Sequence, residues 1–217
     1  MSSVHLDGRL SLCATYVREG SRLADIGTDH GYLPIMLVET GRCPTALACD
    51  INPSPLRSAA ENIRRHGLCD RIATRLCDGL QGVSADDADD IVIAGMGGEL
   101  IAEILASCDW IKDGDKRLIL QPMTRYEKLT AWLYRSGFSI LSQRAAYADR
   151  KHYTVICARY TAQQHDADLT ACLLGGLDPN DPDSRAFLRM TADRIRKQCI
   201  GDPELLPALE ELEMILC

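Results

Sequence analysis

Along the first 160 residues, short apolar runs alternate with stretches whose apolar positions recur every three or four residues, the pattern of strands alternating with helices. Leu23 to Ile26 reads as a buried strand that runs into a turn at Gly27, and Tyr32, Leu33, Ile35, Met36 and Val38 mark a helix after Gly31. Four more strands are expected at Thr45 to Ile51, Ile72 to Leu76, the apolar start of Ile91 to Gly98, and Arg117 to Leu120. Between them, a helix from Pro53 to His66 has Asn52 as its cap and Gly67 as its stop. Another covers Glu99 to Ser107, and a third, reached through Thr124, carries Leu129, Trp132 and Leu133 and stops at Gly137. Phe138 to Ala146 and His152 to Tyr160 alternate around the polar link Asp149-Arg150-Lys151 and read as an antiparallel pair closing the sheet. Residues 5–19 precede all this as an amphipathic helix on Leu6, Leu10, Cys13 and Val17, with Arg9 and Arg18 away from the stripe.

The fold class is therefore α/β: a Rossmann-like domain, mostly parallel and seven-stranded, with an antiparallel strand near one edge. From Thr161 the pattern changes. Asp178 to Asp183 is a turn-rich boundary, Ser184 to Cys199 reads as one helix, and after Gly201-Asp202-Pro203 the residues Leu205, Leu209, Leu212 and Leu216 follow coiled-coil spacing. A domain over 1–160 and a small C-terminal helical hairpin within 161–217 are expected.

Composition narrows the function. A hydrophobic share of 46% in 217 residues is ordinary for a globular chain, and no uninterrupted apolar stretch approaches the ~18 residues of a membrane span. His5, Asp7 and Arg9 interrupt the N-terminus, so a secretory signal is not expected either. Ten cysteines are scattered without C-x-x-C spacing and several, such as Cys49 and Cys157, sit in strand patterns, which reads as reduced thiols in the cytoplasm. Five histidines form no ligand spacing, so no metal is expected. A net charge of −7 argues against indiscriminate nucleic-acid binding but leaves room for a local basic face. Arg185, Arg189, Arg194, Arg196 and Lys197 on one tail helix, against Asp183 and Asp193, are either a solvated face or an RNA contact.

The chemistry is concentrated in Leu23 to Gly31. A strand turning sharply at glycine into a helix N-terminus is a ligand cradle. In dinucleotide loops of the form G-x-G-x-x-G the second glycine lets the backbone meet a pyrophosphate; here Asp29 stands in that place, and a carboxylate there repels phosphate. S-adenosylmethionine has no phosphate and carries a sulfonium and an ammonium group, which Asp25 and Asp29 would favour. Asp50, at the end of the second strand, stands where a carboxylate can accept from a ribose diol. Asp78-Gly79 at the end of the third strand is turn chemistry in itself and is also placed to receive an adenine amino group. Gly95-Met96-Gly97-Gly98, at the end of the fourth, lets a ligand approach the backbone.

The residues Ala24-Asp25-Ile26-Gly27-Thr28-Asp29-His30-Gly31-Tyr32-Leu33-Pro34, Asp78-Gly79-Leu80, Ile93-Ala94-Gly95-Met96-Gly97-Gly98 and Leu118-Ile119-Leu120-Gln121-Pro122 resemble the bacterial tRNA adenine-N1 methyltransferases that modify adenine 22. Asparagine often follows Gln-Pro in that family where this chain has Met123, and alanine is common where Gly31 stands. The resemblance implies S-adenosylmethionine bound by Asp25, Gly27, Thr28, Asp29, His30, Gly31, Asp50, Ile51, Asp78, Gly79, Ala94, Gly95, Met96 and Gly97. It also implies a tRNA substrate and a small helical tail used in tRNA binding. Asp29, Gln121 and Tyr32 are the catalytic candidates: Asp29 as acceptor for the adenine amino group or the charge on the product, Gln121 as a partner of the base, Tyr32 as a stacking surface. Arg9, Arg185, Arg189 and Arg196 are the tRNA-binding candidates, and a monomer is expected. Two rival readings stay open, a small-molecule methyltransferase and a catalytically silent cofactor-binding RNA scaffold.

Overall fold

Every residue of β1 (Leu23–Ile26) is buried, as a strand covered by helices on both faces must be. The computed structural model describes residues 4–217. Parallel to β1 run β2 (Ala46–Asp50), β3 (Ile72–Leu76), β4 (Asp90–Gly97) and β5 (Arg117–Thr124). β6 (Phe138–Ala148) and β7 (Lys151–Tyr160) form the antiparallel pair, and the sheet order is β3-β2-β1-β4-β5-β7-β6. β7 is antiparallel to β5 as well, so its first residues share an edge with the carboxyl ends of the parallel strands. The order reverses between β1 and β4, which opens a crevice at their carboxyl ends.

β4 and β5 extend beyond their apolar runs. They stay paired to Gly97 opposite Thr124, with register shifts around Met96, so the glycine segment is an irregular strand end held against its neighbour. The opening helix α1 (Gly8–Tyr16) is shorter than 5–19, because Asp7 caps its start by accepting from the Leu10 amide at 2.9 Å and Val17 is already extended. Arg18 leaves the helix and pairs with the fully buried Asp90, so it is a structural ion pair and no part of a solvated face. α2 (Tyr32–Glu39), α3 (Pro53–Arg65), α4 (Gly98–Ala106) and α5 (Tyr126–Arg135) cover the sheet. Asn52 precedes α3 but its side chain makes no cap; its amide instead donates to Asp50 Oδ1 at 2.6 Å.

The tail holds α6 (Leu169–Leu174), α7 (Pro182–Gln198), a 3-10 turn (Pro203–Leu205) and α8 (Leu206–Leu216). α6 is under two turns long, too short for a readable period, and is fixed by the Asp168 cap. Asp181 caps α7, which begins at Pro182, two residues ahead of the start expected from the sequence. Leu173, Phe187, Leu188 and Leu212 share one apolar cluster with Tyr126 of α5 and Ala145 of β6, so the hairpin lies on the sheet edge and α5. Tyr126 adds a hydrogen bond to the Leu173 carbonyl at 2.8 Å.

Candidate functional site

Two amides of the first turn, Gly27 and Thr28, donate to the single carbonyl of Cys49 on β2 at 2.9 and 2.8 Å, which pins the loop between β1 and α2. Gly27 (φ 77°), His30 (φ 59°) and Gly31 (φ 70°) all take left-handed backbone, and the His30 carbonyl is held by Asn62 Nδ2 at 2.9 Å. A loop coiled this tightly turns Thr28 inward and Asp29 outward, leaving the Asp29 side chain 81% exposed. His30 Nε2 lies 3.2 Å from Asp29 Oδ1, and the His30 ring stacks on Tyr32 with centroids 5.3 Å apart. Asp29, His30 and Tyr32 thus stand together on the open side of the turn.

The residues present fit a cationic adenosyl ligand. Thr28 Oγ1 is buried and makes no hydrogen bond, although it lies close to the Asp25 carboxyl. Met96 reaches over the turn, its Cε 2.2 Å from where a Cβ on Gly27 would stand, while a Cβ on Gly95 would meet nothing within 4 Å. A flexible thioether is thus all that fills the space above Gly27. Asp50 spends one oxygen on Asn52 and keeps the other, and beside it Ile51 and Leu76 are 59% and 58% exposed at the strand ends. Asp78 is exposed, whereas Gly79 (φ 55°) packs so tightly on Ile104 that a Cβ would stand 2.8 Å from it; Gly79 is required by the backbone and Asp78 is free to contact a ligand.

Asp25 is buried, and burial raises its carboxyl to about 6 from the ordinary 3.8, with the charges of Asp50 and Asp29 pushing the same way. A carboxyl whose pKa is higher folded than unfolded stabilises the fold while protonated, and that advantage is lost as pH rises from about 3.8 through about 6. The gap corresponds to about 3 kcal/mol. Asp25→Asn is therefore expected to be more stable than the parent at pH 7.5 in the absence of ligand, with the difference vanishing near pH 4. Urea titrations at both pH values check this; an equal difference at the two would contradict it.

Gln121 is fully buried. Its Oε1 accepts from Arg9 Nη1 at 3.0 Å and from the Gly95 amide at 3.1 Å, and its Nε2 donates to the Pro122 carbonyl at 3.0 Å. Its oxygen is committed twice and it has no exposed surface, so Gln121 holds the β4 end and Arg9 together. Arg9 therefore turns toward the site, bracing on Asp7 at 2.7 Å and lying 5.3 Å over the Tyr153 ring. Its place across 112 residues from Gln121 has no signal in helix periodicity.

The tail candidates part company. Arg185 donates to the Leu216 and Pro179 carbonyls and ties the hairpin together, while Arg196 is paired with Asp193 and Glu213. Arg189 is exposed beside Met190, and among the described residues no ion pair is formed by it. Arg194, on the same helix, pairs with Glu127 at 3.1 Å. The sequence reading passed over Arg125, Lys151 and Tyr153, which gather at the carboxyl edge of the sheet beside Met123. The antiparallel course of β7 is the signal that could have pointed to Lys151 and Tyr153, and Arg125 directly follows the end of β5.

Comparison with known proteins places this geometry. A family profile described as a methyltransferase domain matches residues 6–156. The tRNA (adenine(22)-N(1))-methyltransferase of Bacillus subtilis is 37% identical over 158 residues, 73% of this chain and 66% of that enzyme, so the aligned part spans just under two thirds of its length. The crystal structure of the Bacillus subtilis enzyme superimposes with a TM-score of 0.86 at 28% identity, covering 99% of this chain and 100% of that one. A Streptococcus pneumoniae protein described as a candidate methyltransferase for the same tRNA position, solved with S-adenosyl-L-methionine, superimposes with a TM-score of 0.86 at 31% identity, covering 96% and 98%.

Proposed function

The chain belongs to the family of bacterial tRNA (adenine(22)-N(1))-methyltransferases, and from that membership we propose that it methylates N1 of adenine 22 in tRNA with S-adenosylmethionine as donor. The observation that carries this reading is the outward carboxylate of Asp29 on a left-handed turn where a phosphate-binding loop presents bare backbone. When bound, S-adenosylmethionine would supply a methyl group on a positively charged sulfur: the N1–carbon bond forms as the carbon–sulfur bond breaks, its electron pair staying on sulfur, which leaves S-adenosylhomocysteine and a cationic adenine. No proton has to leave first. The protein's work is placement, which can contribute ~7–11 kcal/mol, and accommodation of the charge that moves onto the base.

Asp25, Gly27, Thr28, Asp50, Ile51 and Asp78 hold the donor, together with the β4 end from Ala94 to Gly97. Asp29 accepts from the adenine amino group and faces the cationic product, Tyr32 and His30 offer a stacked surface to an unpaired base, and Gln121 keeps Gly95 and Arg9 in register. Residues 1–160 carry this chemistry and 161–217 contribute contacts to tRNA, with Arg189 and Lys197 the exposed cations of α7 that form no ion pair among the described residues. We place the enzyme in the cytoplasm, acting as a monomer without a metal. In support of the compartment, ten free cysteines suit a reducing environment. No helix among the described residues is long and apolar enough to cross a membrane.

The test is incubation of the full chain with S-adenosylmethionine and unmodified tRNA, followed by mapping of modified bases. N1-methyladenine at position 22 is expected. Turnover of small molecules with tRNA untouched would give the reading to a metabolite methyltransferase, and tight cofactor binding without turnover to a silent RNA scaffold. Cutting the chain at Tyr160 is a poor substitute for this test, because it would strip Tyr126 and Ala145 of their cover.

A further inference from the structure

A cavity of about 390 Å³ lies between the β5 end, the β7 start and α7, next to Gln121 in the chain. Pro122 and Met123 form its near wall, Tyr153 supplies an aromatic face, Met190 closes the α7 side, and Arg125 and Lys151 stand at its rim. Its near wall is tied through side chains to the carboxyl end of β4. Arg9 Nη1 lies 3.5 Å from Met123 Sδ and bonds Gln121, which bonds the Gly95 amide.

Resting on the reading of a tRNA substrate, we propose that this cavity receives a nucleotide adjacent to the target adenine, unstacked from the tRNA together with it. The volume is within the range of small-ligand pockets. Its make-up is that of a single-strand nucleotide site: an aromatic ring and two thioethers for the face of a base, and cations at the rim for its phosphate. Arg125 and Lys151 are both exposed, and among the described residues neither is paired with a carboxylate, so their charge is available. Arg194 also lines the cavity but is neutralised by Glu127. Enzymes that act on an extruded base commonly draw selectivity from its immediate neighbours, which fits a cavity joined to the β4 end through Met123, Arg9 and Gln121.

The test uses the full chain and a tRNA series in which one nucleotide at a time next to adenine 22 lacks its base. Met190→Trp fills the cavity from an exposed helix position, so folding is preserved and is checked by unchanged cofactor affinity and unchanged melting. The parent enzyme is expected to lose about tenfold in kcat/KM on one abasic tRNA, the size of a lost base stack. Met190→Trp should lose about as much on intact tRNA and nothing further on that abasic one. Equal kcat/KM for variant and parent on intact tRNA, or losses that multiply, would overturn the cavity assignment while leaving the methyltransferase reading in place. A parent enzyme that methylates no tRNA would overturn both.

Discussion

Asp29→Ala is expected to slow single-turnover methylation of tRNA about a hundredfold while cofactor affinity changes less than about threefold. The expectation follows from where the carboxylate stands. It is held on a turn whose backbone is fixed by Cys49 and Asn62, so its position costs little to maintain at the moment of reaction. In the free protein the side chain is largely in water, but a base seated against it removes that water and strengthens its attraction to positive charge. That charge is absent from adenine before transfer and present afterwards, so the carboxylate favours the transition state over the bound substrate. Loss of one preorganised group of this kind costs ~10²–10³ in rate. Asp29→Asn separates the two contributions, since the amide oxygen still accepts from the adenine amino group while the charge is gone. A rate close to that of Asp29→Ala identifies charge as the larger part, and a rate close to the parent's identifies the hydrogen bond. Near-parent rates with weakened cofactor binding in Asp29→Ala would instead make Asp29 an orienting group for the donor.

The parallel strands and the first turn were legible in the sequence because each is local: a run of apolar residues, then glycine, then an acid. The order of β1, β2 and β3 and the antiparallel end of the sheet follow from the same alternation. What stayed out of reach depends on residues far apart in the chain. Arg9 read as a tRNA-binding candidate away from the apolar stripe of its helix, yet it sits against Gln121 because α1 lies across the carboxyl half of β5. Gln121 read as a base contact, yet burial and two claims on its oxygen turn it inward. Arg18 and Arg185 were likewise cations whose partners, Asp90 and the Leu216 carbonyl, no periodicity reveals. A charged residue's type is visible in the sequence, but whether its charge is already spent is a tertiary fact.

The glycine-rich end of β4 makes the same distinction measurable. Gly98→Ala is expected to lower stability by about 3 kcal/mol, the upper part of the range for overpacking, and so to reduce the melting temperature by ~6–12 °C. A Cβ there would stand 2.4 Å from the Arg125 carbonyl oxygen, 2.9 Å from its carbon and 3.1 Å from the Thr124 oxygen. All three are backbone atoms at the point where β5 turns into α5, and Arg125 already holds a left-handed φ of 54°, so none of them can swing aside as a side chain would. Gly98 is the first residue of α4, where alanine is otherwise a better helix former by ~1 kcal/mol, so any loss must come from the clash. Its neighbour supplies the control. A Cβ on Gly97 would meet only the Thr124 hydroxyl at 3.4 Å, and its φ of −66° suits any residue. Gly97→Ala should therefore melt within about 3 °C of the parent. Equal melting temperatures for the two variants would show that α4 can retreat from β5, and Gly98 would then owe its place to the ligand and not to packing.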